Sequence, residues 1–589
     1  MNFSHKLSIA AFLLSSSTMA LPESEDPQAD GRAARMEKWD SWSYGLFIHW
    51  GPYSRLGGTY QGQQYRGNTE WIMQAAKISR QDYRKAAADF DPKHYDPVAL
   101  VSFAKQCGFK YIILTAKHYD GFSLFDSKVS DFDAVDVLPS KRDLLREFSI
   151  ACAEAKMPLG LSYSIEQDWY HPGGDPIGGT WDISQKGSRS EYIEKIALPQ
   201  VKELLSNYGT VPLMMFGNGS PMLQPIASQF QDAIGPGIIT ARAFTESSQG
   251  DYFYSDGAPL GPNEDRKSWE QCISISDSWG FRHEPSKWKS SKEIIQSLVS
   301  TASRGGNFLL NVGLDGDGQF TAQARERLST IGGWLSQHGK SIYETENSPF
   351  PSHPWSGAAT LRNDGTNDWK MYLQLFQIPA DNIYLPNLLT QPLGATLMGT
   401  QKDIPIMGRA GAWKLDLTNV DLDGLIPVIE IKFTSRPVLG VSPIVEDVSG
   451  NFQLEIGRAT ISGPGMSLGR TPSASDLRIN GFVDELGQSK WEIYVERAGN
   501  FRLDLRCVFE PESQSKKLQV SLNGDKGRSF EAAPLSSGSG SLSSSSPIQT
   551  FESPPVQLST GLNHVTLSGV ADDGDPRALT VLSAALLKN

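Results

Sequence analysis

Between about residues 38 and 340 the chain alternates short apolar runs with amphipathic stretches of helical period. The strand-like runs are Tyr44–Trp50, Tyr111–Thr115, Leu159–Tyr163, Pro212–Phe216, Gly237–Thr240 and Phe308–Val312. Between them lie helix-like segments, among them Asp96–Cys107, closed by Gly108, and Arg142–Ala155, Glu191–Tyr208, Lys289–Ser303 and Ala322–His338. Strands alternating with helices over this length predict parallel βα units in a (β/α)8-type, TIM-like barrel, with an open doubly wound sheet as the alternative. After about residue 350 the helical period disappears. Short alternating runs take over: Trp369–Leu375, Val428–Phe433, Lys490–Val495, Phe501–Cys507, Leu518–Leu522 and His564–Leu567, separated by Gly, Pro, Asn and Asp turns. They predict two β-sandwich modules. The expected fold is therefore α/β plus all-β, with a barrel over 21–348, one sandwich over 349–445 and a second, carbohydrate-binding-module-like, over 446–589. Ser536–Ser546, almost pure Ser and Gly, reads as a flexible loop.

The barrel reading sharpens at the carboxyl ends of the runs. His49-Trp50 follows the first, Lys117-His118 the second, Tyr163 the third, Gly217-Asn218 the fourth and Arg242 the fifth, with Asn311 in the last. Polar and aromatic side chains at these ends converge on one pocket, which is where barrel enzymes do chemistry.

Composition narrows the function class. The 589 residues carry 54 Lys+Arg against 66 Asp+Glu, a formal net charge of −12, which argues against nucleic acid as a ligand because phosphate binding needs a basic face. The first 20 residues read as a secretory signal: Lys6, an apolar run Leu7–Leu14, and Thr18-Met19-Ala20 before Leu21. That run is too short to span a bilayer, so a secreted, extracellular protein without a membrane anchor is expected. Four cysteines (Cys107, Cys152, Cys272, Cys507) lack CxxC spacing, and the nine histidines form no ligand pattern, so neither metal nor cofactor is expected. In an oxidising compartment two of the four cysteines could pair. Asn218-Gly219-Ser220 is a glycosylation sequon, read as a chance tripeptide at a strand end. Lys117 reads as a structural lysine beside the pocket, and Asp120 as a group that orients backbone or His118.

Several segments together resemble the signature of the α-L-fucosidases of glycoside hydrolase family 29. They are Gly45-Leu46-Phe47-Ile48-His49-Trp50-Gly51, Glu70-Trp71, Lys117-His118-Tyr119-Asp120-Gly121-Phe122, Trp269-Glu270-Gln271-Cys272, Trp279-Gly280-Phe281 and Gly305-Gly306-Asn307-Phe308-Leu309-Leu310-Asn311-Val312-Gly313. The resemblance implies a secreted glycosidase that removes terminal α-L-fucose, or a related sugar, from fucosylated oligosaccharides or glycoconjugates with retention of configuration. It implies that His49, Glu70, Trp71, His118, Tyr119, Tyr163 and Arg242 contact the sugar. By position Trp50 also gains a site role, whereas Trp491 reads as buried core.

The departures carry as much information. Where the family has Trp-Phe-Asp-Gly ending strand four, with Asp as nucleophile, this chain has Met215-Phe216-Gly217-Asn218, so the nucleophile position is Gly217. Tyr119 replaces a second consecutive His. The acid/base candidates are Asp256 or Glu264. Three readings follow: a glycosidase of altered mechanism, such as an inverting pair with water in the vacated space; a catalytically inactive sugar-binding protein; or a fucosidase whose nucleophile sits on a loop, at Glu246 or Asp251. In the first reading Tyr119 is a remote nucleophile variant.

Overall fold

Eight parallel strands form the first architectural layer: β1 (Tyr44–His49), β2 (Tyr111–Lys117), β3 (Leu159–Tyr163), β4 (Leu213–Phe216), β5 (Ile239–Thr245), β6 (Phe253–Asp256), β7 (Trp269–Ser274) and β8 (Asn307–Gly313). The structure, a computed structural model, describes residues 27–589 apart from 166, 176–179, 218–223, 246–247, 258–267, 284–286, 351–352, 354, 380, 401, 441–443, 448, 463–465, 471–476, 483–486, 496, 510–515, 524–528, 533–548, 570–578 and 589. The signal segment, Glu246, Glu264 and the Asn218–Ser220 sequon lie outside the described residues.

The ladder runs β5–β4–β3–β2–β1–β8–β7–β6, parallel throughout. Ser248–Gly250 folds back antiparallel on β5, and among the described residues no ladder bridges β5 to β6, so the barrel is nearly closed. The apolar pattern predicts six of the eight strands; β6 and β7 are additional. In β7 the run is broken by Glu270 and Gln271, yet both are buried because partners reach them. The Tyr111 and Tyr252 hydroxyls donate to Glu270, and the Thr301 hydroxyl donates to Gln271.

The helices between strands begin on side-chain caps. Asp96 caps α2 (Pro97–Gln106), Asp143 caps α3 (Leu144–Glu154), and Thr321 caps α7 (Ala322–His338). Ser290 and Glu293 form a reciprocal capping box on α6 (Ser291–Ala302). The long helical stretch expected around 191–208 contains a π-helical turn, Ile193–Ala197, that feeds α4 (Leu198–Asn207); α5 spans Gln224–Ile234. An N-terminal helix, α1 (Pro27–Asp40), closes the amino end of the barrel. Its Trp39 stacks on Tyr252 at 4.1 Å, and Asn307 Nδ2 donates to the Trp39 carbonyl at 2.7 Å. Phe47, Tyr111, Ile113, Leu213, Met215 and Leu309 fill the interior above it.

Beyond the barrel the chain is β-structured. A five-stranded sheet (Gly357–Asn363, Trp369–Leu375, Val428–Phe433, Gly394–Leu397, Lys402–Ile404) and a three-stranded one enclose a core that includes Leu361, Leu373, Leu385 and Ile429. Ala358, Tyr372 and Val428 join the barrel's outer apolar cluster, and Trp334 Nε1 donates to the Ile426 carbonyl, which fixes this layer to α7. From Ile444 onward a six-stranded and a seven-stranded sheet surround a separate core with Trp491, Phe501, Leu503 and Leu567. Trp491 is fully buried, with its indole N–H on the Glu455 carbonyl.

The four cysteines are free and buried, so the pairing allowed by the sequence does not occur. No helix among the described residues is long and apolar enough to cross a membrane.

Candidate active site

The period of two along each strand decides what faces the barrel axis. In β4, Leu213 and Met215 point inward, and Gly217 continues that side into a cavity of about 160 Å³ at the carboxyl ends of the strands. Its wall includes His49, Glu70, Trp71, His118, Tyr119, Gly217, Asp256 and Trp279. Seven of these are residues the sequence points to; Trp279 lies in a quoted motif without a role assigned there. Asn68, Lys117, Ser162, Ser164 and Tyr254 complete the polar lining.

His49 ends β1 and is held from β8. Asn311 donates its two amide hydrogens to the Trp279 carbonyl at 2.8 Å and to Ser274 Oγ at 3.0 Å. Its carbonyl oxygen therefore accepts from His49 Nδ1 at 2.6 Å, which places a proton on Nδ1. His118 lies edge-on to His49 at 5.3 Å. Burial, with His49 beside it, holds the His118 imidazole well below its usual range, so it is neutral.

Glu70 and Trp71 sit on a single 3₁₀ turn, Thr69–Trp71, in the loop after β1. That turn is tied to the loop after β7: Thr69 N donates to Ser278 Oγ at 3.0 Å, and Gly280 N donates to Glu70 Oε2 at 2.9 Å. Glu70 is buried, and burial pushes its carboxyl up to about 7 despite that hydrogen bond and the Arg282 charge. Trp71, Tyr119 and Trp169 form a triangle of ring contacts with centroids 5.5–5.6 Å apart. Trp169 N donates to the Tyr119 carbonyl at 2.7 Å, fixing the β2 loop against the β3 loop.

Behind this wall is a buried ionic cluster. Lys117 Nζ donates to Asp168 Oδ2 at 2.7 Å and to the Tyr192 hydroxyl at 2.8 Å, and His171 Nδ1 lies 2.8 Å from the same carboxylate. Burial alone would raise the Asp168 carboxyl, but His171 and Lys117 outweigh it and hold it well below the usual range. Lys117 is thus an ion-pair partner, as the structural reading expects. Gly121 is required here: its φ is +76°, and a Cβ would come within 2.4 Å of Asp168 Oδ1. Asp120 accepts from the Tyr83 hydroxyl at 2.7 Å and from Phe122 N at 3.3 Å, so it orients backbone and not His118.

Several sequence expectations are redirected. Tyr163 does not line the cavity: alternation along β3 turns Ser162 and Ser164 inward and Tyr163 out to the helices, where its hydroxyl donates to Gln200 of α4 at 2.7 Å. Trp50 points out likewise, packing on Tyr95 and Phe90 with its indole N–H on the Asp315 carbonyl. Asp251 is a strut rather than a nucleophile, because its carboxylate accepts from Thr240 N at 2.8 Å and Arg32 Nε at 2.7 Å. Arg242 lies on β5, with its side chain outside the described residues. Asp256 is at the end of β6, exposed at the cavity mouth. Alternation read along Leu159–Tyr163 was the available signal for Ser162 and Ser164; Tyr254 lies on a strand the apolar pattern does not reveal.

Gly217 itself is not required by the backbone. A Cβ there would meet Tyr119 Cε1 at 3.5 Å, Ser164 Oγ at 3.6 Å and Tyr119 Oη at 3.7 Å, which are ordinary contacts. Chemically, the site can grip a polar ring between aromatic faces and imidazole, with carboxyls at Glu70 and Asp256, but offers no carboxylate from strand four. Among the described residues no group of three or more His, Cys, Asp or Glu could hold a metal ion.

Known proteins are similar to this chain in sequence and fold. The plasma alpha-L-fucosidase of Homo sapiens is 30% identical over 352 residues, covering 54% of this chain and 72% of its own length. The alpha-L-fucosidase isoenzyme 1 of Paenibacillus thiaminolyticus superposes with a TM-score of 0.59 at 27% identity, covering 69% of this chain and 100% of that one. The alpha-L-fucosidase of Vibrio sp. strain EJY3, 24% identical, shares the fold with a TM-score of 0.73 over 94% of this chain and 98% of its own. The alpha-L-fucosidase family model matches residues 12–340, from before α1 to just past the end of α7, and this span of more than half the chain, enclosing the barrel and every described wall of its cavity, makes the protein a member of the alpha-L-fucosidase family.

Proposed function

We propose that this protein is secreted and recognises a terminal α-L-fucosyl residue, or a closely related sugar, on extracellular fucosylated oligosaccharides or glycoconjugates. Its glycosidase activity is impaired relative to the family's retaining reaction. The observation that carries the reading is the cavity wall: the family's His49, Glu70, Trp71 and His118 are gathered around it, whereas the strand-four position in it is Gly217. Trp71 and Trp279 supply apolar faces for the sugar's C–H surfaces, and the imidazoles and Glu70 supply polar contacts. Without a strand-four carboxylate there is no group in that place to attack the anomeric carbon or to stabilise the positive charge that develops on it. Loss of a nucleophile commonly lowers the rate by several powers of ten. Among the described cavity-lining residues, Glu70 and Asp256 are the carboxyls that residual hydrolysis could use. With no carboxylate side chain at position 217, we assign residual hydrolysis to the inverting route, in which a water attacks in place of a protein nucleophile.

The test is purified mature protein with an aryl α-L-fucoside and fucosylated oligosaccharides, with NMR of the first-formed anomer and fucose binding by calorimetry. Saturable fucose binding with slow release of the inverted anomer is the expected result. Saturable binding with no turnover at high protein concentration would make this a sugar-binding protein of the same pocket. Retention of configuration would require a nucleophile in strand four's stead and overturn the inverting assignment. Absence of fucose binding would overturn the whole reading.

A further inference from the structure

On that reading of the pocket, the charge it prefers on the bound sugar ring is set by two residues that depart from the family pattern and meet in space. Gly217 prolongs the inward side of β4, and the volume above it is bordered by the Tyr119 ring. A Cβ at 217 would stand 3.5 Å from Tyr119 Cε1 and 3.7 Å from its hydroxyl oxygen. The phenol therefore borders the space into which a strand-four carboxylate would project. Trp71 and Trp169 contact its ring, and Trp169 N holds its carbonyl, so Tyr119 is fixed in this position.

A carboxylate in that space attracts a positive charge on the ring; a glycine and a phenol do not. Among the described residues, the other charges near the cavity do not replace it. Glu70 is pushed up to about 7 by burial, so at pH 6 it is mostly protonated. Asp256 is exposed at the mouth, where water and salt screen its field. Lys117 is neutralised by Asp168, and burial keeps His118 neutral. We propose that Tyr119 and Gly217 act together as a specificity pair that makes this cavity a receptor for the neutral, ground-state sugar instead of its cationic transition state. The two departures are one change: the phenol borders the vacated space, and the site keeps its grip on the ring while losing its preference for positive charge.

The experiment is calorimetric titration of the full chain at pH 6 with L-fucose and with a fucose-configured iminocyclitol whose ring nitrogen is protonated. A site complementary to a cationic transition state binds such a mimic at least about 100-fold more tightly than the neutral sugar. Here the two dissociation constants are expected to lie within about tenfold of each other. In Gly217→Asp/Tyr119→His the preference for the cation should rise by about 100-fold or more. In Gly217→Asp alone it should rise less, because the phenol still borders the new side chain. A preference above about tenfold in the unaltered protein overturns the proposal, and so does a folded double variant with an unchanged ratio. The unaltered protein decides the matter by itself if the double variant does not fold. Failure to bind L-fucose at all would instead overturn the fucose-site reading on which this rests.

Discussion

Glu70 is buried in the wall of the cavity, and its charge state is set by its surroundings. Burial raises its carboxyl from 4.5 to about 7, with Gly280 N and Arg282 opposing only part of that. In the unfolded chain the group ionises near 4.5; in the fold it holds its proton until about 7. Between these values the folded state binds more protons than the unfolded state, so stability falls as pH rises through that window and levels off above it. The gap, at about 1.36 kcal/mol per pH unit, corresponds to a loss of about 3 kcal/mol that is complete above pH 8. Glu70→Gln keeps the shape and the oxygen that accepts from Gly280 N, but cannot ionise. Urea unfolding of the full-length protein, followed by tryptophan fluorescence, should show the variant more stable by less than about 1 kcal/mol at pH 5 and by about 3 kcal/mol at pH 8.5. Subtracting one protein from the other cancels every other titrating group. A stability difference that stays constant across this range would mean that Glu70 ionises as in water, and would refute the account of a buried, protonated carboxyl.

Other parts of the structure make separate predictions. Lys117→Met removes the cation from a fully buried pair and leaves Asp168 to the side chains of His171 and Tyr192 and the backbone N–H groups of Tyr170 and His171. A loss of about 3–5 kcal/mol is expected in chemical unfolding, and a loss below 1 kcal/mol would show that the pair is not what holds the β2 and β3 loops together. Trp491→Ala should cost about 3–5 kcal/mol and remove hydrogen-exchange protection from Gln488–Val495 and its partner strand Gly561–Gly569; unchanged protection there would contradict its place in that core. Burial pushes the Cys107, Cys152 and Cys507 thiols up to about 12, and Cys272 is also buried. A thiol reagent should therefore count no cysteine in the native protein and four after denaturation, and native labelling would contradict their burial.

Much of this protein is legible from one dimension. The 3.6-residue and two-residue periods, which record the buried face of each element, placed α2, α3, α4, α6 and α7, six of the eight barrel strands and the later β-runs, but not α1 or α5. Gly217 could also be read directly, since the absence of a carboxylate needs no coordinates. Direction was less secure. Tyr163 and Trp50 stand at strand ends but turn outward, because alternation along a strand is inherited from its pairing in the barrel. Strand β7 was hidden because Glu270 and Gln271 interrupt its apolar run, and only the arrival of Tyr111, Tyr252 and Thr301 makes their burial affordable. Asp251 looks like chemistry in the sequence and proves to be a strut once Arg32 and Thr240 reach it. Sequence by itself determined most of the barrel elements, their order and the missing strand-four carboxylate. Tertiary structure alone decided that Tyr119 borders the space over Gly217 and that Glu70 keeps its proton, because contact across 98 residues and exclusion of water are properties of packing, with no local pattern to record them.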